Sequence, residues 1–139
     1  MTMNDMTERL ALLSLFSDLT KPQLEHVSHM FEEEMFPAGQ RILRQGFTGA
    51  NLYVILDGEA CIVLGGKELA RLGRGEFFGE VSALLGEPPT ADVQAATPLR
   101  CLVIPQPEVK KFLVSNPQVM YRILQAEARR LSYTLQWRG

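Results

Sequence analysis

Between Asn51 and Leu72 three short, largely apolar runs, Asn51 to Leu56, Glu59 to Leu64 and Lys67 to Leu72, are joined by two two-residue turns, Asp57-Gly58 and Gly65-Gly66. Asp-Gly and Gly-Gly accept the positive φ that tight hairpins need, so the stretch is expected to fold as an antiparallel meander. Further runs of the same type, Arg41 to Arg44, Asp92 to Ala96 and Arg100 to Ile104, lie on either side. Short strands at this spacing predict an antiparallel β-roll or jelly-roll-like barrel. The fold class is α+β, mainly β.

Helical patterns flank the strands. Thr7-Glu8-Arg9 followed by Leu10, Leu12, Leu13 and Phe16 reads as a short amphipathic helix. Lys21-Pro22 opens a second, with Leu24, Val27 and Phe31 inward and Glu32, Glu33 and Glu34 facing water. After the strands, Gln106-Pro107-Glu108 opens a helix carrying Val109, Phe112 and Leu113, and Asn116-Pro117 is a cap and first-turn proline for a last helix to about Gln136. Tyr121, Leu124, Ala128, Leu131 and Leu135 form a heptad seam along it. The pattern admits pairing of two subunits or packing on the chain's own roll.

The expected organisation is one domain over residues 1–139: helices in 1–35, the roll in 36–105 and helices in 106–139. With 46% hydrophobic and 22% charged residues the chain has enough apolar material for one core. A net charge of −2 without a dense Lys/Arg cluster disfavours direct binding of nucleic acid. Leu10 to Phe16 is too short to span a bilayer, and Asp5 and Glu8 stand where a signal peptide would be basic, so a cytoplasmic, membrane-free protein is expected.

The stretch from Gly73 to Ala91 carries the chemistry. Gly73, Gly75 and Gly79 allow turns and close approach of a ligand to the main chain. A one-turn helix starting near Glu80 then presents the amides of Glu80, Val81 and Ser82 at its positive end, which suits a phosphate. Glu80 itself is negative and calls for a neutral donor on the same ligand, as a sugar hydroxyl provides. Phosphate plus ribose describes a nucleotide.

Phe78-Gly79-Glu80-Val81-Ser82, followed by Leu84-Leu85-Gly86-Glu87-Pro88, resembles the phosphate-binding cassette (73–91 here) of cyclic-nucleotide-binding domains. Phe36-Pro37-Ala38-Gly39-Gln40, Ile42-Leu43, Gln45-Gly46 and Leu52 to Glu59 are similar to the family's opening strands, so the resemblance covers nearly the whole chain. It implies a regulatory module binding cyclic AMP, in preference to cyclic GMP, and no other cofactor. Glu80 would take the ribose 2′-OH and the helix amides the phosphate, within a ligand-binding set of Phe78, Gly79, Glu80, Val81, Ser82, Pro89, Thr90 and Ala91. The run Ala128-Arg129-Arg130-Leu131 looks like one in the family's catabolite-activator branch and assigns Thr134 to the adenine. The same resemblance implies a homodimer through the last helix.

The chain departs from the family at three positions. Phe47 and Ala50 stand where the loop commonly carries acidic residues, and Pro89 replaces the arginine that neutralises the phosphate. Proline supplies no side-chain donor and no backbone N–H. Losing one charge-assisted contact weakens binding about ten- to a hundredfold. The helix amides, Ser82 and the Thr90 hydroxyl, with Arg71 or Arg74 for charge, are the candidates to compensate. The family's transcription factors continue into a helix-turn-helix, whereas this sequence stops at Gly139, so a free-standing sensor, a subunit or a fragment is expected.

The alternative reading is a degenerate domain of the same fold, without the cassette arginine, acting as a dimerisation or protein-interaction scaffold or taking another small ligand. Trp137 suits such an interface or caps the protein's own core. Catalysis is not expected: the strand half holds no histidine, which removes Ser-His-Asp and Cys-His arrangements. His26 and His29 have no third metal ligand placed beside them. Cys61 and Cys101 lie in apolar runs and read as reduced core residues.

Overall fold

The structure, a computed structural model, describes residues 8–47 and 50–138, with side chains of the last helix to residue 132. The hairpin meander forms as its turns require: β3 (Leu52–Asp57), β4 (Ala60–Leu64) and β5 (Lys67–Leu72) follow one another, with Gly58, Gly65 and Gly66 all at positive φ. At Gly58 a Cβ would collide with the Pro98 carbonyl, so the first turn tolerates no side chain.

Together with β1 (Glu32–Phe36), β2 (Arg41–Leu43), β6 (Phe77–Phe78), β7 (Asp92–Ala95) and β8 (Leu99–Ile104), these strands make two four-stranded antiparallel sheets. Their orders are β1-β8-β3-β6 and β2-β7-β4-β5. The chain crosses between sheets rather than finishing one first, as a jelly-roll-like roll does.

Two cores result. Phe36, Tyr53, Ile55, Phe78, Cys101 and Val103 pack inside the roll, while Leu52, Val54, Leu56, Leu102 and Ile104 pack outside against helices. Alternate residues of β3 and β8 serve different cores, so both strands are buried on two faces and read as unbroken apolar runs. Each fully buried Leu, Ile or Phe here is worth about 1.5–3 kcal/mol in transfer free energy. Both cysteines are buried and unbridged, and burial pushes the Cys101 thiol up to about 12.

The helices on the outer face are α1 (Lys21–Ser28), α2 (Glu80–Leu85), α3 (Val109–Ser115) and α4 (Pro117–Arg138). Thr20 and Gln23 form a reciprocal capping box at the start of α1. Asn116 takes the expected place before Pro117, its carbonyl accepting from Met120 N–H at 3.1 Å, and its side-chain amide also donates to the Phe112 carbonyl at 2.9 Å and closes the end of α3.

Three expectations are corrected here. The first amphipathic pattern is split into a helical turn at 8–11 and a 3₁₀ turn at Ser14–Phe16, which leaves Leu12 71% exposed while Leu10, Leu13, Leu15 and Phe16 are buried. α1 ends at Ser28, so Phe31 lies beyond it and packs edge-on between Phe16 and Phe112. Glu32, Glu33 and Glu34 form strand, so the helical region stops short of residue 35. They pair in register with Val103, Leu102 and Cys101 of β8, and Glu33 meets Arg9 at 3.5 Å and Arg100 at 3.2 Å. Pairing with a buried strand overrides the poor β propensity of glutamate.

Candidate functional site: an acidic group and a guanidinium at the mouth of the roll

The turn before the cassette is fixed to β3. Gly75 N–H donates to Ile55 O at 2.8 Å, Ile55 N–H donates to Glu76 O at 2.9 Å, and the Glu76 carboxylate accepts from Gly73 N–H at 2.7 Å. The short β6 then pairs Phe77 and Phe78 with Val54 and Tyr53, and the Phe78 ring stacks on Tyr53 with centroids 4.7 Å apart. The chain must turn sharply to leave this pairing, and Gly79 does so at φ 85°. A Cβ at Gly79 would collide with the Asn51 carbonyl, so glycine is required by contact as well as by conformation.

α2 begins directly after that turn and runs a single turn and a half, with Ala83 the first amide bonded back to Gly79 O. The amides of Glu80, Val81 and Ser82 precede it and have no helical acceptor. The Ser82 hydroxyl donates to the Glu87 carbonyl and closes the loop after α2 on itself. Pro89 O accepts the Gly46 N–H at 3.0 Å, which ties the far end of the cassette to the turn after β2. A cavity of about 120 Å³, open to solvent, lies between these two walls.

Of the expected ligand-binding residues, Phe78, Gly79, Glu80, Val81, Ser82, Pro89, Thr90 and Ala91 all line this one cavity. The Thr134 side chain lies outside the described residues, as does that of Trp137. Arg71 does not compensate for Pro89, because it sits on β5 with its guanidinium held by Glu68 at 2.9 Å and Glu59 at 3.1 Å, away from the cavity. Arg74 is exposed on the turn and does not line the cavity either.

The cation at the cavity wall comes from α4. Arg130 Nη1 donates to Glu80 Oε2 at 2.7 Å and to Glu127 Oε1 at 3.0 Å, while Nη2 donates to Phe77 O at 2.9 Å. Its guanidinium lies 4.5 Å from the centre of the Phe77 ring, adding a cation–π contact. Glu80 is only 5% exposed. Burial pushes its carboxyl up to about 8, helped by a hydrogen bond with Glu127, while the charge of Arg130 and the residue's own backbone N–H pull the other way. Two carboxylates facing one guanidinium thus retain a proton near neutrality, and the proton belongs to the pair.

Sequence reasoning missed Arg130 and Glu127. The signal was present, since the Ala128-Arg129-Arg130-Leu131 run was legible and Glu127 precedes Arg130 by one helical turn, but nothing local says which arginine turns inward. The cluster has hydroxyl-accepting and anion-pairing capacity and holds no nucleophile with an adjacent base. Among the described residues no three His, Cys, Asp or Glu side chains group as a metal site, and His26 and His29 are both exposed.

A profile of the cyclic nucleotide-binding domain matches residues 33–116. A cGMP-dependent protein kinase of Eimeria tenella is 32% identical over 119 residues, covering 86% of this chain and 12% of the kinase. The chain therefore spans about an eighth of that relative's length. The catabolite activator protein of Thermus thermophilus is 30% identical and superposes with a TM-score of 0.76, covering 86% of this chain and 59% of that one. The regulatory domain of Toxoplasma gondii PKA with cAMP shares the fold with a TM-score of 0.76 at 20% identity, covering 91% of this chain and 50% of that one.

Proposed function

Because the chain belongs to the cyclic nucleotide-binding domain family, we propose that it is a regulatory, non-enzymatic sensor that binds a cyclic nucleotide on the 73–91 cassette and signals through α4. The observation that carries this reading is Glu80: a buried carboxyl at the head of α2, lining a cavity and held by Arg130 of α4. A ribose 2′-OH donates to Glu80, and the amides of Val81 and Ser82 with the Thr90 hydroxyl receive the phosphate. The adenine falls to α4, where Thr134 is assigned to it. Cyclic AMP is taken before cyclic GMP on that assignment, although the Eimeria relative is named for cGMP.

The reading places the protein in the cytoplasm as one domain over residues 1–139. No helix among the described residues is long and apolar enough to cross a membrane.

Calorimetric titration with cyclic AMP and cyclic GMP, beside a Glu80→Ala variant, tests the site. Saturable binding that weakens about two- to tenfold in the variant is expected, since a hydrogen bond to a neutral group contributes roughly 0.5–1.5 kcal/mol. No heat and no thermal shift at millimolar ligand overturns it.

Pro89 and an exposed apolar strip favour the second reading, a scaffold of the same fold that has lost its ligand. The strip includes Leu84, at 50% exposure on α2, beside Tyr121 and Leu124 on α4. A dimer that persists while no nucleotide binds would select it.

A further inference from the structure

Arg130 is the one Lys or Arg side chain among the described residues that line the cassette cavity. With Pro89 at the cassette arginine's place and Arg71 held by Glu59 and Glu68, the electrostatic fate of a phosphate in this cavity turns on that guanidinium. It is engaged on two sides. Nη1 serves Glu80 and Glu127 together, at 2.7 and 3.0 Å.

The two carboxylates are not equivalent. Glu80 lines the cavity and sits on α2, where it is available to a sugar hydroxyl. Glu127 does not line the cavity; it is on α4, three residues before Arg130, and therefore travels with it through any movement of that helix. It offers nothing to a ligand, yet it places a negative charge against the one cation that a phosphate would use.

We propose that Glu127 sets the charge selectivity of the pocket, opposing phosphate-bearing ligands relative to the uncharged nucleoside by holding the Arg130 guanidinium. This rests on the cyclic-nucleotide reading above and adds a residue to it. Removing the Glu127 charge leaves Glu80 and the cavity wall in place. Burial, the first cause of the raised Glu80 carboxyl, is untouched by the change, so at pH 6 Glu80 keeps its proton in both forms and only the Glu127 charge differs. The ratio of the two affinities therefore isolates the phosphate.

The test is calorimetry of cyclic AMP and adenosine at pH 6 with the whole chain, as wild type, Glu127→Gln and Glu127→Asp. In Glu127→Gln the cyclic AMP affinity is expected to rise about three- to tenfold over that of adenosine, the range for one unit charge acting across a partly screened protein interior. Glu127→Asp, which keeps the charge, should stay near the wild-type ratio. An unchanged or lower ratio in Glu127→Gln, with both ligands still binding, overturns this inference and leaves the site reading intact. Failure of every form to bind either ligand overturns the site reading and this inference with it. Should Glu127→Gln fold poorly, Glu127→Ala gives the same ratio, and a purely structural role for Glu127 would lower both affinities together.

Discussion

Glu80 ties stability to pH in the direction opposite to most carboxylates. Its carboxyl is pushed up to about 8 in the folded protein and returns towards the ordinary 4.5 when the chain unfolds. Between those values the folded state holds a proton that the unfolded state has released. The group's contribution is therefore fully present below about pH 4.5 and is lost as pH rises through 8, with a limiting slope of about 1.4 kcal/mol per pH unit for one proton. Urea melts between pH 5 and 9 should show wild type losing stability with rising pH relative to Glu80→Gln, whose amide cannot ionise. Parallel curves would show that Glu80 stays ionised beside Arg130. At the neighbouring residue, Gly79→Ala would force a Cβ into the Asn51 carbonyl at a positive φ. A stability loss of about 2–4 kcal/mol is expected in the same melts, from the left-handed backbone and the displaced β3–β6 contact together.

The elements divide into those whose cause is local and those whose cause is distant. β3, β4 and β5 were legible because Asp57-Gly58 and Gly65-Gly66 specify their own turns, and the cassette was legible because Gly79 and the short helix after it are a local pattern. β1 was not. Glu32, Glu33 and Glu34 look like a solvated helix flank until β8 supplies backbone partners and Arg100 supplies charge, and β8 lies near the other end of the chain. The split of the first helix escaped for a similar reason, since burying Leu13, Leu15 and Phe16 together requires a bend that a single amphipathic face does not encode. Within the candidate site the cassette wall could be read residue by residue. The wall from α4 could not, because Arg130 and Glu80 are 50 residues apart and meet through the packing of α4 on the roll.

At the scale of the whole molecule α4 has a buried face and an exposed apolar one. Val119 and Ile123 are buried and Arg130 turns the same way, towards the roll and the cassette. Tyr121, Leu124 and Leu131, at 60%, 62% and 60% exposure, lie off that face, so these three residues of the heptad seam are left largely uncovered by the chain's own roll. A seam of about two heptads is short for a coiled coil, and a dimer built on it is expected to be weak, in the micromolar range. Weakness makes it useful as an output. A ligand that redirected Arg130 would act on the same helix that carries Leu131 one residue later, so ligand and a partner copy would bias one element from two sides. Linkage then requires that cyclic AMP change the dimerisation constant by the factor by which dimerisation changes cyclic AMP affinity. Sedimentation across a concentration series, with and without cyclic AMP, should reveal that shift. Leu124→Asp with Leu131→Asp should give a monomer whose cyclic AMP affinity no longer depends on protein concentration. A wild-type monomer at high concentration, or a double variant that still dimerises, would place the dimer on another surface or remove it altogether.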